Sequence, residues 1–318
     1  MMSEILLSIC IPTFNRPLFL KKTIESIISQ EIFVNENKIE IIICDNSTNN
    51  ETYNMIKYFI KNHPRKIIYF KNEINIGDEN ISKVLSLGNG SFLKLNNDTL
   101  AFNRNSLIEI LNTIQENIIL KPNLFFLNNM VKLKKNILII NNLNDFLLNT
   151  KHASTWIGTF GIWKIDYNKN IFPINNKLPQ FEATLKMVSE KDNTIIINSE
   201  LFKTQAGVYQ GGYDLLQIFY LNFNKILNNY LLINKINKNT IYILNNYILF
   251  HFFFKWAIRI KLEKKYYFTN KNFILDIIKF KKNKPLILII FLFKYYFAIL
   301  PIKLYKKLKY KNNEYSKF

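Results

Sequence analysis

The chain has 318 residues, of which 48% are hydrophobic and 15% aromatic, and its formal net charge is +20. This composition excludes an intrinsically disordered chain and is sufficient for one large domain or two unequal ones. The charge is concentrated at one end: residues 1–218 contain 23 Lys and Arg against 20 Asp and Glu, whereas residues 219–318 contain 20 against 3. The sequence therefore predicts a nearly neutral globular body followed by a basic appendage.

The cysteines and the N-terminus indicate a reducing compartment. Cys10 and Cys44 both lie within apolar runs, which favours small core residues and excludes a disulfide framework or a cysteine metal site. Glu4 occupies a position where a secretory signal needs positive charge, and Pro12 ends the first apolar run. We therefore predict no export signal and a cytoplasmic location.

Short apolar runs alternate with helical patterns through the first hundred residues. The runs are Leu6–Ile11, Ile39–Cys44, Lys66–Phe70 and Ser91–Leu95. Between them, helical periodicity predicts helices from Pro17 to about Gln30, from about Asn50 to Asn62, and around Ile81, Val84 and Leu85. Because parallel strands need a crossover connection, this alternation predicts an α/β fold with a mostly parallel sheet.

Polar residues follow every predicted strand. They are Thr13 and Asn15, then Asp45 and Asn46, then Asn75, and finally Asn96, Asn97 and Asp98. The carboxyl ends of parallel strands lie along one edge of a doubly wound sheet, where such sheets bind ligands. The sequence therefore predicts one cleft formed by four separate segments.

Four motifs in order resemble a known family. LSICIPTFNRPLFLKKTIESIISQ, EIIICDNST, NEINIGDENI and SFLKLNNDTL are similar to the nucleotide-binding half of family 2 glycosyltransferases of the GT-A fold. Within that family the similarity is greatest to the abequosyltransferase-like group, which builds capsule, lipopolysaccharide or lipooligosaccharide. The resemblance covers roughly residues 5–115 and continues more loosely to about residue 225. It implies a nucleotide-sugar-binding half at 1–115, an acceptor-binding half at 116–218 and a helical, basic and aromatic tail at 219–318.

The resemblance also implies the donor site. Its nucleotide-sugar-binding residues would be Pro12, Thr13, Phe14, Arg16, Asp45, Asn75, Gly77, Asn80 and Asn97. A carboxylate such as Asp45 can accept from a uracil imide or a ribose hydroxyl, and a helix start near Gly77 attracts phosphate. The alternatives are that Asp45 only stabilises a turn and a helix cap, and that Asn75 and Asn80 only form a glycine-containing turn.

The acidic motif departs from that of the family. Relatives commonly have Asp-Asp-Asp or Asp-x-Asp where this chain has Asn96, Asn97 and Asp98. By resemblance, Asp98 would bind Mg²⁺ or Mn²⁺, with a weaker contribution from Asn96. The departure leaves two options for the diphosphate leaving group, which are weakened metal binding or stabilisation by helix dipoles and basic groups. A helix cap is the alternative role for Asp98.

The acceptor half would supply a catalytic base, because the family inverts at the anomeric carbon through one in-line displacement. Glu182, at the start of an apparent helix, is the leading candidate, ahead of Asp192, His152 and Asp166. Its alternative role is favourable electrostatics in the first helical turn. The aromatic block from His152 to Lys164 is either a sugar-stacking platform or part of the core.

The C-terminal region predicts membrane attachment. Pro285–Leu300 is almost wholly apolar, but its sixteen residues include Lys294 and fall short of the roughly 20 that span a bilayer. Lysines flank it at 279–284 and 303–311, which favours an interfacial helix on anionic lipid, although a strained span stays open. Nucleic acid is excluded as a partner because the basic segment is rich in aliphatic residues and lacks a recognition motif.

These observations predict an inverting glycosyltransferase. It would transfer a sugar from a UDP- or dTDP-sugar to a glycan or lipid-linked acceptor, at the inner face of the cytoplasmic membrane. Because the acidic motif is depleted, the alternative is a catalytically impaired binding or scaffold subunit of a glycan-assembly complex.

Overall fold

The computed structural model describes residues 5–168, 171–173, 177–207, 210–262, 266–269, 272–281 and 284–315. The chain divides into two compact units. The first contains residues 5–207 and 230–237, and the second contains residues 210–229 and 238–315.

A five-stranded sheet forms the centre of the first unit. Its order is β3 (Ile67–Lys71), β2 (Ile39–Asp45), β1 (Leu7–Thr13), β4 (Phe92–Leu95) and β8 (Gly161–Trp163). β1 to β4 pair in parallel, and β8 pairs antiparallel with β4. All seven residues of β2 are buried, as a continuous apolar run requires when helices cover both faces of a parallel sheet.

Helices connect or follow these strands, and those at residues 17–28, 51–62 and 79–86 match the predicted helices. They are α1 (Pro17–Ile28), α2 (Glu31–Asn35), α3 (Glu51–Asn62), α4 (Glu79–Ser86) and α5 (Ser106–Glu116). Pro17 opens α1, where a missing N–H costs nothing, and Leu20, Ile24 and Ile27 form its buried face. The apolar faces of these helices and the strands form one core.

The rest of the first unit extends this core. β5 (Leu100–Phe102) pairs with β10 (Phe202–Thr204), and β6 (Asn123–Phe126), β9 (Thr194–Ile197) and β7 (Ile137–Ile140) form a three-stranded sheet. The helices here are α6 (Leu143–Thr150) and α7 (Pro179–Glu190). Short 3₁₀ segments cover Lys151–Thr155, Ile157–Thr159 and Lys164–Asp166.

The C-terminal region is mainly helical. Its elements are α8 (Phe223–Leu232), α9 (Lys238–Tyr247), α10 (Phe254–Leu262), α11 (Phe273–Lys281) and α12 (Pro285–Tyr315). π-helical segments at Gln217–Asn222 and Ile248–Phe253 precede α8 and α10, and β11 (Gln210–Gly211) pairs in parallel with β12 (Tyr266–Tyr267). Within the described ranges, no helix has the length and hydropathy of a membrane span.

The predicted α/β fold with a helical C-terminal region is confirmed, with a small extension at two strands. β1 continues through Pro12 to Thr13, and β2 continues to Asp45. Pro12 lacks a donor, but β1 pairs with β4 only over Leu7–Cys10, so the missing N–H falls beyond that ladder. Thr13 and Asp45 are therefore the last residues of adjacent strands. The three domain boundaries proposed from the sequence stay a prediction.

Candidate active site

The ends of β1, β2 and β4 and the start of α4 surround a cleft of about 430 Å³. Eight residues singled out from the sequence line it: Pro12, Thr13, Phe14, Arg16, Gly77, Asn80, Asn97 and Asp98. Asn15, Asn46, Asp78, Ile81 and Ile157 also line it. Asp45, Asn75 and Asn96 are not among its lining residues. The predicted convergence of separate strand exits on one cleft is therefore present in the fold.

Asp98 lies at the base of this cleft with both carboxylate oxygens engaged. Its Oδ2 accepts from Thr13 Oγ1 at 2.9 Å, and its Oδ1 accepts from Arg16 Nη1 at 3.3 Å. Its backbone carbonyl accepts from Thr23 Oγ1 at 2.8 Å. The Asp98 side chain is 5% exposed, whereas that of Arg16 is 47% exposed. Asp98 is therefore paired with a half-exposed guanidinium that also lines the cleft.

The electrostatics of Asp98 are a balance of opposing effects. Burial raises the pKa of its carboxyl, while Arg16, Thr13 and the backbone N–H of Phe14 act in the lowering direction. Burial is the largest of these effects. The Arg16 guanidinium is thus the principal charge that favours ionised Asp98.

The metal expected from the resemblance does not fit the donors as they are arranged. Both Asp98 oxygens already accept hydrogen bonds, and the Arg16 guanidinium beside them would repel a cation. Asn96 is fully buried and donates from Nδ2 to the carbonyls of Asn97 and Leu100. Its buried Oδ1 has no hydrogen-bond partner, but the residue does not line the cleft. Among the described residues, no three His, Cys, Asp or Glu side chains cluster. No mechanistic step is therefore derived through a metal, and ligation by Asp98 and Asn96 stays a prediction.

Asp45 organises the turn after β2. Its Oδ1 accepts from the backbone N–H of Ser47 at 2.8 Å and from Ser47 Oγ at 2.5 Å, and its Oδ2 accepts from the Tyr69 hydroxyl at 2.8 Å. The residue is fully buried. The pKa of Tyr69 is raised mainly by burial and secondly by its hydrogen bond to Asp45. These contacts are those of the turn alternative, and a direct role of Asp45 in nucleoside binding stays a prediction.

Three buried asparagines brace the cleft. Asn46 Oδ1 accepts from Asn72 Nδ2 at 2.7 Å, and its Nδ2 donates to the Gly77 carbonyl at 3.1 Å. Asn72 Nδ2 also donates to Asn80 Oδ1 at 3.1 Å, and Asn80 Nδ2 donates to the Cys44 carbonyl at 2.9 Å. The network ties the end of β2 to the residue after β3 and to the first turn of α4. Asn80 therefore has a bracing role in addition to its place in the cleft wall.

Gly77 marks the turn into α4. Its φ is +59°, which is in the left-handed region that favours glycine, and its backbone N–H donates to Asn75 Oδ1 at 2.9 Å. Asn75 therefore forms a local turn of the kind expected of asparagine. Whether Asn75 also contacts a ligand stays a prediction.

Lys94 is an unexpected feature of β4. Its ammonium is fully buried between the rings of Phe126 and Phe202, and it donates to the carbonyls of Leu95 and Gly158. Burial lowers the pKa of Lys94 to about 7. Gly158 is adjacent to Ile157, which lines the cleft. Lys94 thus ties β4, which precedes Asp98 in the chain, to the segment that contains Ile157.

The predicted catalytic base lies outside this lining. Glu182 is in the first turn of α7. Burial is the main cause that raises the pKa of Tyr230, and the negative charge of Glu182 is the second cause. Asp166 pairs with Lys191 at 2.6 Å, and Asp192 is exposed. None of the four candidates lines the cleft, so the choice of Glu182 stays a prediction.

The aromatic block belongs largely to the core. Phe160 and Trp163 are buried, and Trp163 Nε1 donates to the Pro122 carbonyl at 2.6 Å. Trp156 is half-buried and packs over Gly158, where a Cβ would lie 2.8 Å from its ring. The core alternative therefore holds for Phe160 and Trp163.

Several lining residues are not among the predicted donor-binding residues. Asn15 and Asn46 follow strands and belong to the predicted strand exits, so their position is a usable signal. Asp78 is adjacent to Gly77 and pairs with Lys177 at 3.7 Å. Ile157 gave no signal, because an apolar residue in a Trp-rich block is typical of a core.

The mostly parallel sheet with a cleft at its carboxyl edge is accompanied by similarity to a known family. Residues 8–140 match the family described as Glycosyl transferase family 2.

A curated relative and solved structures are also similar to parts of this chain. The chain is 41% identical over 88 residues to abequosyltransferase RfbV of Salmonella typhimurium, and the alignment covers 27% of this chain and 26% of the relative. The chain thus matches about a quarter of that relative's length.

The crystal structure of S. aureus TarS has a TM-score of 0.55 at 15% identity, covering 82% of this chain and 46% of TarS. The structure of TarS 1–349 in complex with UDP has a TM-score of 0.55 at 16% identity and covers 82% of this chain and 77% of that one. At this identity the likeness concerns the fold, which is GT-A.

Proposed function

We propose that the protein is an inverting glycosyltransferase that transfers a sugar from a nucleotide-diphosphate sugar to a hydroxyl of a cell-surface glycan. The observation that carries this proposal is the cleft itself, because residues from all four family motifs meet there. The family match over residues 8–140 and the TarS complex with UDP support a nucleotide-sugar donor. UDP- and dTDP-sugars are the proposed donors.

The cleft offers complementary groups for such a donor. The Phe14 ring is 45% exposed and provides a face on which a pyrimidine base can stack. Arg16 provides a fixed positive charge, and guanidinium groups bind phosphate oxygens through two parallel donors. Asn97 and Asn80 add amide groups to the same lining. We infer that Arg16 faces the diphosphate while Asp98 holds the other side of its guanidinium.

Departure of the nucleoside diphosphate requires positive charge near the bond that breaks. In this proposal Arg16 supplies that charge, and the N-terminal end of α4 adds the partial positive charge of its helix dipole. No step of this proposal goes through the Mg²⁺ or Mn²⁺ ion that the resemblance implies, because both oxygens of Asp98 already accept hydrogen bonds from Thr13 and Arg16.

Inversion requires a base that removes the proton from the acceptor hydroxyl as that oxygen attacks the anomeric carbon. Glu182 is the proposed base. The acceptor is proposed to be a growing capsule, lipopolysaccharide or lipooligosaccharide glycan, or a lipid-linked precursor, in accordance with the abequosyltransferase relative. The basic C-terminal region is proposed to hold the enzyme peripherally at the inner face of the cytoplasmic membrane.

Nucleotide release from a panel of UDP-, dTDP- and GDP-sugars tests the proposal. One donor should give release that depends on Arg16, Asp98 and Glu182, measured with Arg16→Ala, Asp98→Ala and Glu182→Gln. Arg104→Ala serves as the matched control, since this exposed arginine does not line the cleft.

The scaffold alternative predicts a different pattern. A catalytically impaired subunit would bind one nucleotide sugar by calorimetry, with loss of binding in Arg16→Ala, but would release no nucleotide with any acceptor extract. No binding of any nucleotide sugar would refute both candidate functions.

A further inference from the structure

The apolar residues of α12 divide between two opposite faces. Seven large side chains of α12 are at least half exposed: Leu286, Ile289, Ile290, Phe293, Tyr296, Phe297 and Leu300. Their spacing of three and four residues places them on one stripe of the helix. We call this stripe the outer face of α12.

The inner face packs within the second unit. Phe291, Tyr295 and Ile299 are buried, and the Phe291 ring contacts the rings of Phe250 and Phe254. Lys294 lies at the edge between the two faces, where its ammonium sits 4.6 Å from the centre of the Phe254 ring. The charge that interrupts the apolar run is therefore excluded from the outer face.

The outer face needs an apolar partner, because proteins rarely expose a continuous stripe of this size to water without an interaction. Phe293 and Phe297 are each 72% exposed and stack on each other with ring centres 6.0 Å apart. Their exposed rings lie at the middle of the stripe, which is where insertion into an apolar phase gains the most.

The flanking charge identifies the partner as an anionic bilayer. Lys279 and Lys284 precede the stripe, and five lysines occupy positions 303–311 after it, while the only acidic residue of α12 is Glu314. Basic residues at both ends of an apolar stripe are typical of helices that lie in the interface of anionic membranes. A second copy of this chain is disfavoured, because it would bring together two regions with 20 basic and 3 acidic residues each.

We propose that the outer face of α12 is a docking surface that lies parallel to the membrane plane, with Phe293 and Phe297 in the acyl-chain boundary of an anionic bilayer. This inference deepens the peripheral attachment stated under the proposed function, and its failure would leave the transferase cleft unaffected. Pro301 separates the apolar part of the helix from the lysine-rich part of its sequence.

Vesicle flotation of the full chain tests the docking surface. Binding to vesicles of phosphatidylcholine with 30% phosphatidylglycerol should fall about tenfold or more in Phe293→Ser/Phe297→Ser, because two ring insertions are lost. The control Ile137→Ser/Ile139→Ser changes two exposed residues of β7 in the first unit and should bind as the wild type does. Unfolding midpoints of all three proteins establish that they are folded.

Tryptophan depth measurements distinguish a parallel helix from a spanning one. Leu286→Trp, Phe293→Trp and Leu300→Trp should all be quenched at equal depth by brominated lipids, about 5–10 Å below the headgroups. A clearly deeper position of Phe293→Trp than of the two end positions would indicate a span and overturn the proposal. The proposal would also be overturned by unchanged flotation of Phe293→Ser/Phe297→Ser, or by a lipid-free dimer that this variant dissociates. Nucleotide release by the wild type in detergent is measured in parallel. If the wild type binds vesicles but releases no nucleotide, the result counts against the proposed transferase activity and not against the docking surface.

Discussion

Lys94 provides the sharpest physical test of the structure. We consider the substitution Lys94→Met, which keeps the length of the side chain and removes the buried ammonium. The pKa of Lys94 is lowered from 10.5 to about 7 in the folded protein, and burial is the principal cause. In the unfolded chain the lysine is exposed and returns to its ordinary value.

The sign of the pH effect follows from these two values. Between pH 7 and 10.5 the unfolded chain binds more protons at Lys94 than the folded protein does, so stability rises with pH across this window. From pH 7 to 9 a single group of this kind contributes about 2 kcal/mol to the rise. Below pH 7 both states are increasingly protonated, and the contribution levels off.

Urea unfolding at pH 7, 8 and 9 measures this rise. The free energy of unfolding of the wild type should increase by about 2 kcal/mol more than that of Lys94→Met over this range. Lys57→Met, at an exposed position of α3, is the matched control and should keep the wild-type slope. Equal slopes for the wild type and Lys94→Met would refute the assignment of a buried, readily deprotonated lysine.

Three further changes test the site and its support. Arg16→Ala should weaken donor binding about tenfold to a hundredfold, as expected for a lost charged hydrogen bond, whereas Arg16→Lys should recover part of the affinity. Calorimetry with and without EDTA measures both variants. Full loss of donor binding by the wild type in EDTA would favour a metal in place of Arg16. Asp45→Asn should lower the free energy of unfolding by about 1–3 kcal/mol, because the amide cannot accept on both sides from Ser47 and Tyr69; an unchanged urea midpoint would contradict the buried bracing role. Gly161→Ala should cost about 1–3 kcal/mol because its Cβ would meet the buried Phe92 ring, and a thermal midpoint equal to that of the wild type would count against this packing.

The fold was predictable because its signals are local and repeated. Each of the first four strands is a short apolar run, and each following helix has a clear apolar face such as Leu20, Ile24 and Ile27. Parallel pairing then follows from the need for crossovers. The polar strand exits were equally visible, and most of them line one cleft.

The limits of sequence reasoning lie in side-chain partners. Nothing in SFLKLNNDTL indicates that Lys94 is fully buried, because the Gly158 carbonyl and the Phe126 and Phe202 rings around its ammonium belong to other segments. The ion pair between Arg16 and Asp98 likewise depends on how the chain after β1 turns towards the residues that follow β4. Both features arise from tertiary contacts between residues far apart in the chain, which propensity and periodicity do not encode.

The asparagine bracing around the cleft has a consequence for its electric potential. Asn46, Asn72 and Asn80 join three segments through neutral amides, which neither ionise nor change with pH. Bracing the same segments with aspartates would place negative potential beside a ligand that itself carries two phosphate charges. Because the network is uncharged, the charged side chains in the described lining of the cleft are those of Arg16, Asp78 and Asp98. The three asparagines thus connect the segments around the cleft without adding negative charge beside an anionic ligand.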